Sequence, residues 1–173
     1  MRVAIIADTH MPRGSRRLPD ACVEELRAAD AIVHAGDFTG PEALGEVEAL
    51  AAADGRERPL ITVHGNVDVP EIVRRLPERT EVELGGATIG VIHDAGVRLG
   101  RLKRMRLEFP DADAVVFGHS HTPLHESEGG FQIFNPGSPT ERRRAPSRSM
   151  GIALVQGGRI SFEHVLFDET AAG

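Results

Sequence analysis

The 173-residue chain has a single cysteine, Cys22, which excludes an intramolecular disulfide and a thiolate metal cluster. Cys22 lies between Leu18 and Leu26 at four-residue spacing and reads as a core residue on a helix face. Nothing near it in sequence would lower its pKa toward reactivity. Long apolar runs are also missing: none approaches the roughly 18 residues of a membrane span. The N-terminus turns polar at Asp8, too soon for a secretory signal, and reads as a first strand, so a cytoplasmic protein with no membrane partner is expected. Excess positive charge is absent too. The net charge is −6, which argues against bulk electrostatic binding to nucleic acid.

What is present fits an α/β protein. The length suits one domain, 1–173, able to bury roughly 70% of its unfolded surface. Strands and helices alternate through the first two-thirds. Amphipathic helices are expected over Leu18–Ala29, from Pro41 to Ala51, from Pro70 to Leu76, and between Val97 and Phe109, where Gly100 weakens the last. The final third changes character: Phe131–Phe134, Gly151–Val155 and Ile160–Phe167 read as strands separated by the turns Gly129-Gly130 and Gly157-Gly158. Both parallel and antiparallel pairing are expected. The sequence leaves the oligomeric state open and is compatible with a homo-oligomer.

Five short apolar runs each end in metal-capable residues. Val3–Ala7 leads to Asp8-Thr9-His10, Ala31–Val33 to His34-Ala35-Gly36-Asp37, and Leu60–Val63 to His64-Gly65-Asn66. Thr88–Ile92 leads to His93, and Ala114–Phe117 to Gly118-His119-Ser120-His121. Ligands of open α/β sheets bind beyond the carboxyl ends of the strands, where such residues converge. A lone His or Asp there is more often a cap or a turn residue. The pairs Asp8/His10 and His119/His121 differ, because alternate residues leaving a strand can turn toward one ion. Imidazole, carboxylate and one amide without thiolate suit Mn²⁺ foremost, with Fe, Zn²⁺, Co²⁺ or Ni²⁺ as alternatives, and not Ca²⁺. Seven donors exceed one ion's usual coordination and suit two divalent ions sharing a carboxylate. Such a site is net positive and attracts phosphate.

Asp8-Thr9-His10, Gly36-Asp37, Gly65-Asn66-Val67-Asp68, His93 and Gly118-His119-Ser120-His121 resemble the signature of the calcineurin-like metallophosphoesterases. Asn135-Pro136-Gly137-Ser138 resembles the small branch that includes the YfcE-type phosphodiesterases and the Vps29 retromer subunit. The resemblance covers nearly the whole chain and implies a four-layer α/β/β/α sandwich of two mixed sheets. It implies that Asp8, His10 and His121 bind one metal, that Asn66, His93 and His119 bind a second, and that Asp37 bridges them. Asp37, Asn66 and His93 would act catalytically through the metals, with Asn66 and His10 also touching substrate. The implied reaction is in-line attack of a metal-bridging hydroxide on a small phosphoester.

Two positions depart from the family pattern. Many relatives carry a His after the Asn, and here Val67 cannot protonate a leaving group, a role worth about 10²–10⁴-fold. Asp94 stands where relatives often have Gly; it either orients a ligand or is a loop residue.

Several other residues have two readings. His34 and His64 are read as structural or hydrogen-bonding neighbours of the site, His125 as surface or cleft rim, and His164 as structural. Asp68 supports the Asn66 loop or caps the helix at Pro70, and the hydroxyls or amides of Thr9 and Ser120 are candidates to steady phosphate oxygens. Asn135–Ser138 is a tight turn or a cleft wall. Arg142, Arg143 and Arg144, and the basic run from Arg98 to Arg106, are solvated surface or lie near an anionic substrate. A phosphodiesterase is the expectation. Its rivals are a phosphomonoesterase or nucleotide pyrophosphatase on the same site, and a Vps29-like non-catalytic interaction scaffold.

Overall fold

The structure is a computed structural model that describes residues 1–167; the last six residues of the expected 1–173 domain lie outside the described residues. The run Val3–Ala7 is apolar at every position because both faces of its strand are buried. Val3, Ile5 and Ala7 enter one core and Ala4 and Ile6 another. That strand, β1 (Arg2–Ile6), lies parallel to β2 (Ala31–His34), which lies parallel to β3 (Leu60–Thr62). On its other side β1 pairs antiparallel with β9 (Ser149–Gln156), and β9 with β10 (Arg159–Leu166). The second sheet has a parallel centre of β5 (Ala87–Ile92), β6 (Ala114–Val116) and β8 (Phe131–Asn135). Its edges are antiparallel, β4 (Arg79–Leu84) beside β5 and β7 (Leu124–Glu128) beside β8.

The two mixed sheets pack face to face through Val3, Ile5, Val33 and Val63 of one and Ile89, Val91, Val116 and Phe134 of the other. Outside the first sheet lie α1 (Asp20–Ala28), α2 (Pro41–Ala51) and α3 (Pro70–Arg75), which contribute Cys22, Leu26, Leu44, Val47 and Ile72 to its outer core. Outside the second lies α4 (Arg101–Glu108), which packs Met105 with Phe109 and Phe117. The result is the four-layer α/β/β/α sandwich, with Cys22 buried and its thiol pushed up to about 12 by burial.

Three elements differ from the sequence reading. β4 and β7 are edge strands whose exposed faces carry Glu81, Glu83 and Ser127, and this polarity hides them from an apolar-run search. The fourth helix begins at Arg101 because Gly100 takes φ +69°, leaving residues 97–100 as an approach loop. Three arginines of this region brace backbone carbonyls. Arg101 donates to the Gly96 carbonyl, Arg104 to those of Ala95 and Val97, and Arg106 to that of Gly129.

Arg58 joins the first two helices. Its buried guanidinium donates to the carbonyls of Arg27 and Ala29 near the end of α1 and to Leu50, Ala51 and Ala53 around the end of α2. Carbonyls at helix ends have no intrahelical partner, and burying them unmatched is costly. Arg58→Met should therefore lower stability by about 3 kcal/mol or more, read as a lower urea midpoint at unchanged m-value.

Candidate metal centre

Strand β1 ends at Ile6, and the chain then enters a left-handed conformation at Asp8 (φ 57°) and His10 (φ 46°). Asp37 (φ 62°), His119 (φ 68°) and His121 (φ 56°) do the same. Residues with a Cβ rarely adopt this region, and here five of the eight non-glycine cases among the described residues are strand-end donors. The twist on alternate residues aims Asp8 with His10, and His119 with His121, into one cleft. Glycine is obligatory at Gly65, where a Cβ would lie 2.0 Å from Asp37 Oδ1.

Two groups of donors result. In the first, His121 Nε2 is 3.5 Å from Asp8 Oδ1 and 3.1 Å from His10 Nε2. In the second, Asn66 Oδ1 is 3.1 Å from His93 Nε2 and 2.9 Å from His119 Nδ1. Asp37 stands between them, with Oδ2 at 3.6 Å from His10 Nε2 and 3.3 Å from His93 Nε2. Asp8, His10, Asp37, His93 and His121 are buried, whereas Asn66 and His119 are exposed.

Backbone carbonyls choose the imidazole tautomers. His121 Nδ1 donates to the Glu141 carbonyl at 3.1 Å and His93 Nδ1 to the Ala35 carbonyl at 2.8 Å. Each Nε2 is thereby left to offer its lone pair inward, as metal ligands do. Burial pushes His121 down to about 4 and lowers His10, so both are neutral at pH 7. Burial also opposes charge on His93, but the hydrogen bond and charge of Asp37 prevail and raise it. For Asp37, burial acts upward, yet His93 and the Val67 N–H, 3.0 Å from Oδ1, hold its carboxyl below the usual range.

Asp8 is the exception. Burial, reinforced by the charge of Asp37, pushes it up to about 7. Its Oδ1 accepts the His119 N–H at 3.1 Å, but its buried Oδ2 has no hydrogen-bond partner. An orphaned carboxylate oxygen beside neutral imidazole lone pairs is a donor set short of a cation, so these residues fit divalent metal.

The supporting residues sort themselves by contact. Asp68 takes the N–H groups of Asp37, Thr39 and Gly65 at 3.1, 2.7 and 2.7 Å, tying the second and third strand-end loops together. It does not cap α3, which has no side-chain cap. His34 is fully buried, pushed down to about 3 by burial, and accepts the Gly36 N–H, so its Nε2 donates to Thr9 Oγ1 at 3.1 Å. Thr9 is itself buried with its hydroxyl engaged there, which removes that hydroxyl from the phosphate-contacting role expected of it. Asp94 receives the Gly96 N–H at 2.7 Å as a loop residue. His125 bonds Gln132, and His164 bonds the Asn135 carbonyl. Asn135 holds the Gly118 carbonyl and Ser120 Oγ, which makes the Asn135–Ser138 turn a support beneath the site. An open pocket beside Asn66 and His93 is walled by His64, Glu78 and Asp94.

Residues 1–158 match the profile of the calcineurin-like phosphoesterase superfamily domain. The chain belongs to that superfamily. It is 33% identical over 166 residues to a probable metallophosphoesterase of Methanothermobacter thermautotrophicus, covering 94% of this chain and 91% of that protein. In fold it is similar to a single mutant of Vps29 from Entamoeba histolytica, with TM-score 0.73, 23% identity, and coverage of 97% of this chain and 100% of the other. A structure described as a novel archaeal phosphodiesterase has TM-score 0.71 at 18% identity, covering 96% and 100% of the two chains. These two structural likenesses bear on the fold, and the superfamily membership rests on the sequence matches.

Sequence reasoning missed the Ala35 and Glu141 carbonyls that orient His93 and His121. Every residue has a carbonyl, so no side-chain pattern announces them.

Because Asp8 holds its proton to about pH 7 when folded and ordinarily loses it near 3.8, the folded state binds the extra proton between those values. This contribution to metal-free stability is fully present below the ordinary value and is lost as pH rises toward 7. Asp8→Asn should stabilise the metal-free protein at pH 8, by up to about 4 kcal/mol relative to its effect below pH 4. It should also reduce any melting shift that an added divalent cation gives the wild type; calorimetry of both proteins checks this.

Proposed function

We propose that this protein is a phosphodiesterase that uses two divalent cations, Mn²⁺ foremost, to hydrolyse small phosphoesters. The observation that carries the reading is Asp37, one of whose oxygens faces both donor groups, at 3.6 and 3.3 Å from His10 and His93. Asp8, His10 and His121 would hold one cation, and Asn66, His93 and His119 the other, with Asp37 shared. When bound, such a pair supplies a nucleophilic water at neutral pH and Lewis acidity toward the phosphoryl oxygens.

The chain's own groups do the positioning. The carbonyls of Ala35 and Glu141 keep two imidazoles in the ligating tautomer, and Val67 N–H keeps one Asp37 oxygen turned away from the cleft donors. Asn66 and His10 are the residues assigned to substrate contact. The side chain of Val67 offers no proton, so esters with good leaving groups are favoured. The whole chain is proposed to act as one unit, since every donor named belongs to a single cleft. The fold is shared with a structure described as an archaeal phosphodiesterase, as it is with Vps29. The scaffold reading draws on the Vps29 likeness and on Val97, Leu99 and Leu107, exposed at 73%, 89% and 74% around α4.

Metal-free protein given Mn²⁺ should hydrolyse an aryl phosphodiester faster than the corresponding aryl monoester, and either faster than an alkyl ester. Asp37→Ala should reduce this turnover at least about 100-fold, and chelation should abolish it. Preference for the monoester would move the assignment to a phosphomonoesterase. Two bound metals with no turnover would favour the scaffold, and turnover indifferent to chelation would remove the metal mechanism.

A further inference from the structure

The loop after Ser138 is pinned to the strand ends that carry the donors. Ser138 Oγ donates to the Asp8 carbonyl at 2.8 Å and Thr140 Oγ1 to the Thr9 carbonyl at 2.7 Å, while the Glu141 carbonyl receives His121 Nδ1. This anchored loop next presents three arginines. Arg142 turns back to the Pro146 carbonyl at 3.2 Å. Arg143 takes φ +46°, a left-handed backbone that costs energy for a residue with a Cβ and collects at functional positions. Arg143 and Arg144, with Ser120 and Thr122, line a pocket of about 380 Å³. At ~30 Å³ per water, that space exceeds what one phosphate needs. Ser120 stands between His119 and His121 in sequence, so the pocket adjoins the segment that carries two of the donors.

Its charge is unbalanced. Glu141 is the carboxylate at hand, and its Oε1 is 2.8 Å from Arg16 Nη2, whereas Arg143 Nε reaches Oε2 only at 3.8 Å. Arg144 has no ion pair among the described residues. Guanidinium groups bind phosphate oxygens in pairs, and serine and threonine hydroxyls complete such a cradle.

We propose that Arg143 and Arg144, with the hydroxyl of Ser120, form an anion subsite for a second phosphate on the substrate, Thr122 serving as pocket wall because its own hydroxyl donates to the Ser120 carbonyl. The preferred substrates are then phosphoesters bearing a further phosphate beside the one attacked. This rests on the phosphoesterase reading and adds selectivity to it.

The test is calorimetric titration of the Mn²⁺-loaded protein with AMP and with adenosine 3′,5′-bisphosphate, which differ by one phosphate. The wild type should favour the bisphosphate, and Arg143→Gln/Arg144→Gln should reduce the ratio of the two affinities about tenfold or more. Arg144→Gln alone, which disturbs no ion pair among the described residues, should reduce it in part. An unchanged ratio in the double variant, including equal weakening of both ligands, overturns the subsite. Hydrolysis assays on the same wild-type preparation judge the catalytic reading separately, since an inactive wild type fails that reading while the affinity ratio still decides the subsite.

Discussion

Asp8 and Asp37 are carboxylates taken out of water at the carboxyl ends of neighbouring parallel strands, and most of the local architecture answers that cost. A buried carboxylate is tolerated when charges and hydrogen-bond donors surround it. Asp37 is answered internally, by the Val67 N–H on one oxygen and His93 on the other. Asp8 is answered only by half, through the His119 N–H, and its second oxygen is left buried and unmatched. The protein thus carries one electrostatic debt that its own groups settle only in part: His10 and His121 are neutral, and the charge of His93, shared with Asp37, does not bring Asp8 back to the usual carboxylate range. A cation can.

Holding this arrangement takes strain and a hub. Five donors sit in left-handed backbone, and such conformations persist only where the surroundings over-determine them. Asp68 supplies one such constraint, gathering three N–H groups from two loops onto a single carboxylate. Ser138 and Thr140 supply another from the far end of the chain, clasping the carbonyls of Asp8 and Thr9. The turn at Asn135 steadies Gly118 and Ser120 in turn. The two sheets are consequently joined at the site by polar contacts as well as by the apolar core beneath it.

What was legible in the sequence follows from what kind of group does each job. The seven strand-end donors are side chains of distinctive type, and most of the apolar runs that carry them are central strands buried on both faces, with the short edge strand β3 the exception, so both stood out. The edges β4 and β7 did not, because Glu81, Glu83 and their neighbours make an edge strand look like surface. The orienting carbonyls of Ala35 and Glu141 are invisible in any side-chain pattern. Three of the arginines near α4, read as solvated surface or as lying near an anionic substrate, satisfy backbone carbonyls, which only the fold could show. The engagement of the Thr9 hydroxyl was hidden for a similar reason, since its partner His34 lies 25 residues away in sequence on the neighbouring strand.

Position 67 separates two jobs that relatives can combine. The backbone N–H of Val67 holds Asp37 Oδ1 at 3.0 Å, and a backbone group does this whatever side chain follows it. The apolar side chain is 41% exposed at the cleft and takes no part in holding the donors. Replacing histidine by valine there therefore leaves the geometry of the donor cluster untouched and removes only a proton source. The physical consequence falls on the leaving group and not on metal affinity. On the proposed phosphoesterase reading, a site built this way would lose rate on poor leaving groups while keeping its grip on the phosphoryl group, and its selectivity would follow leaving-group acidity and the charge of the neighbouring arginines.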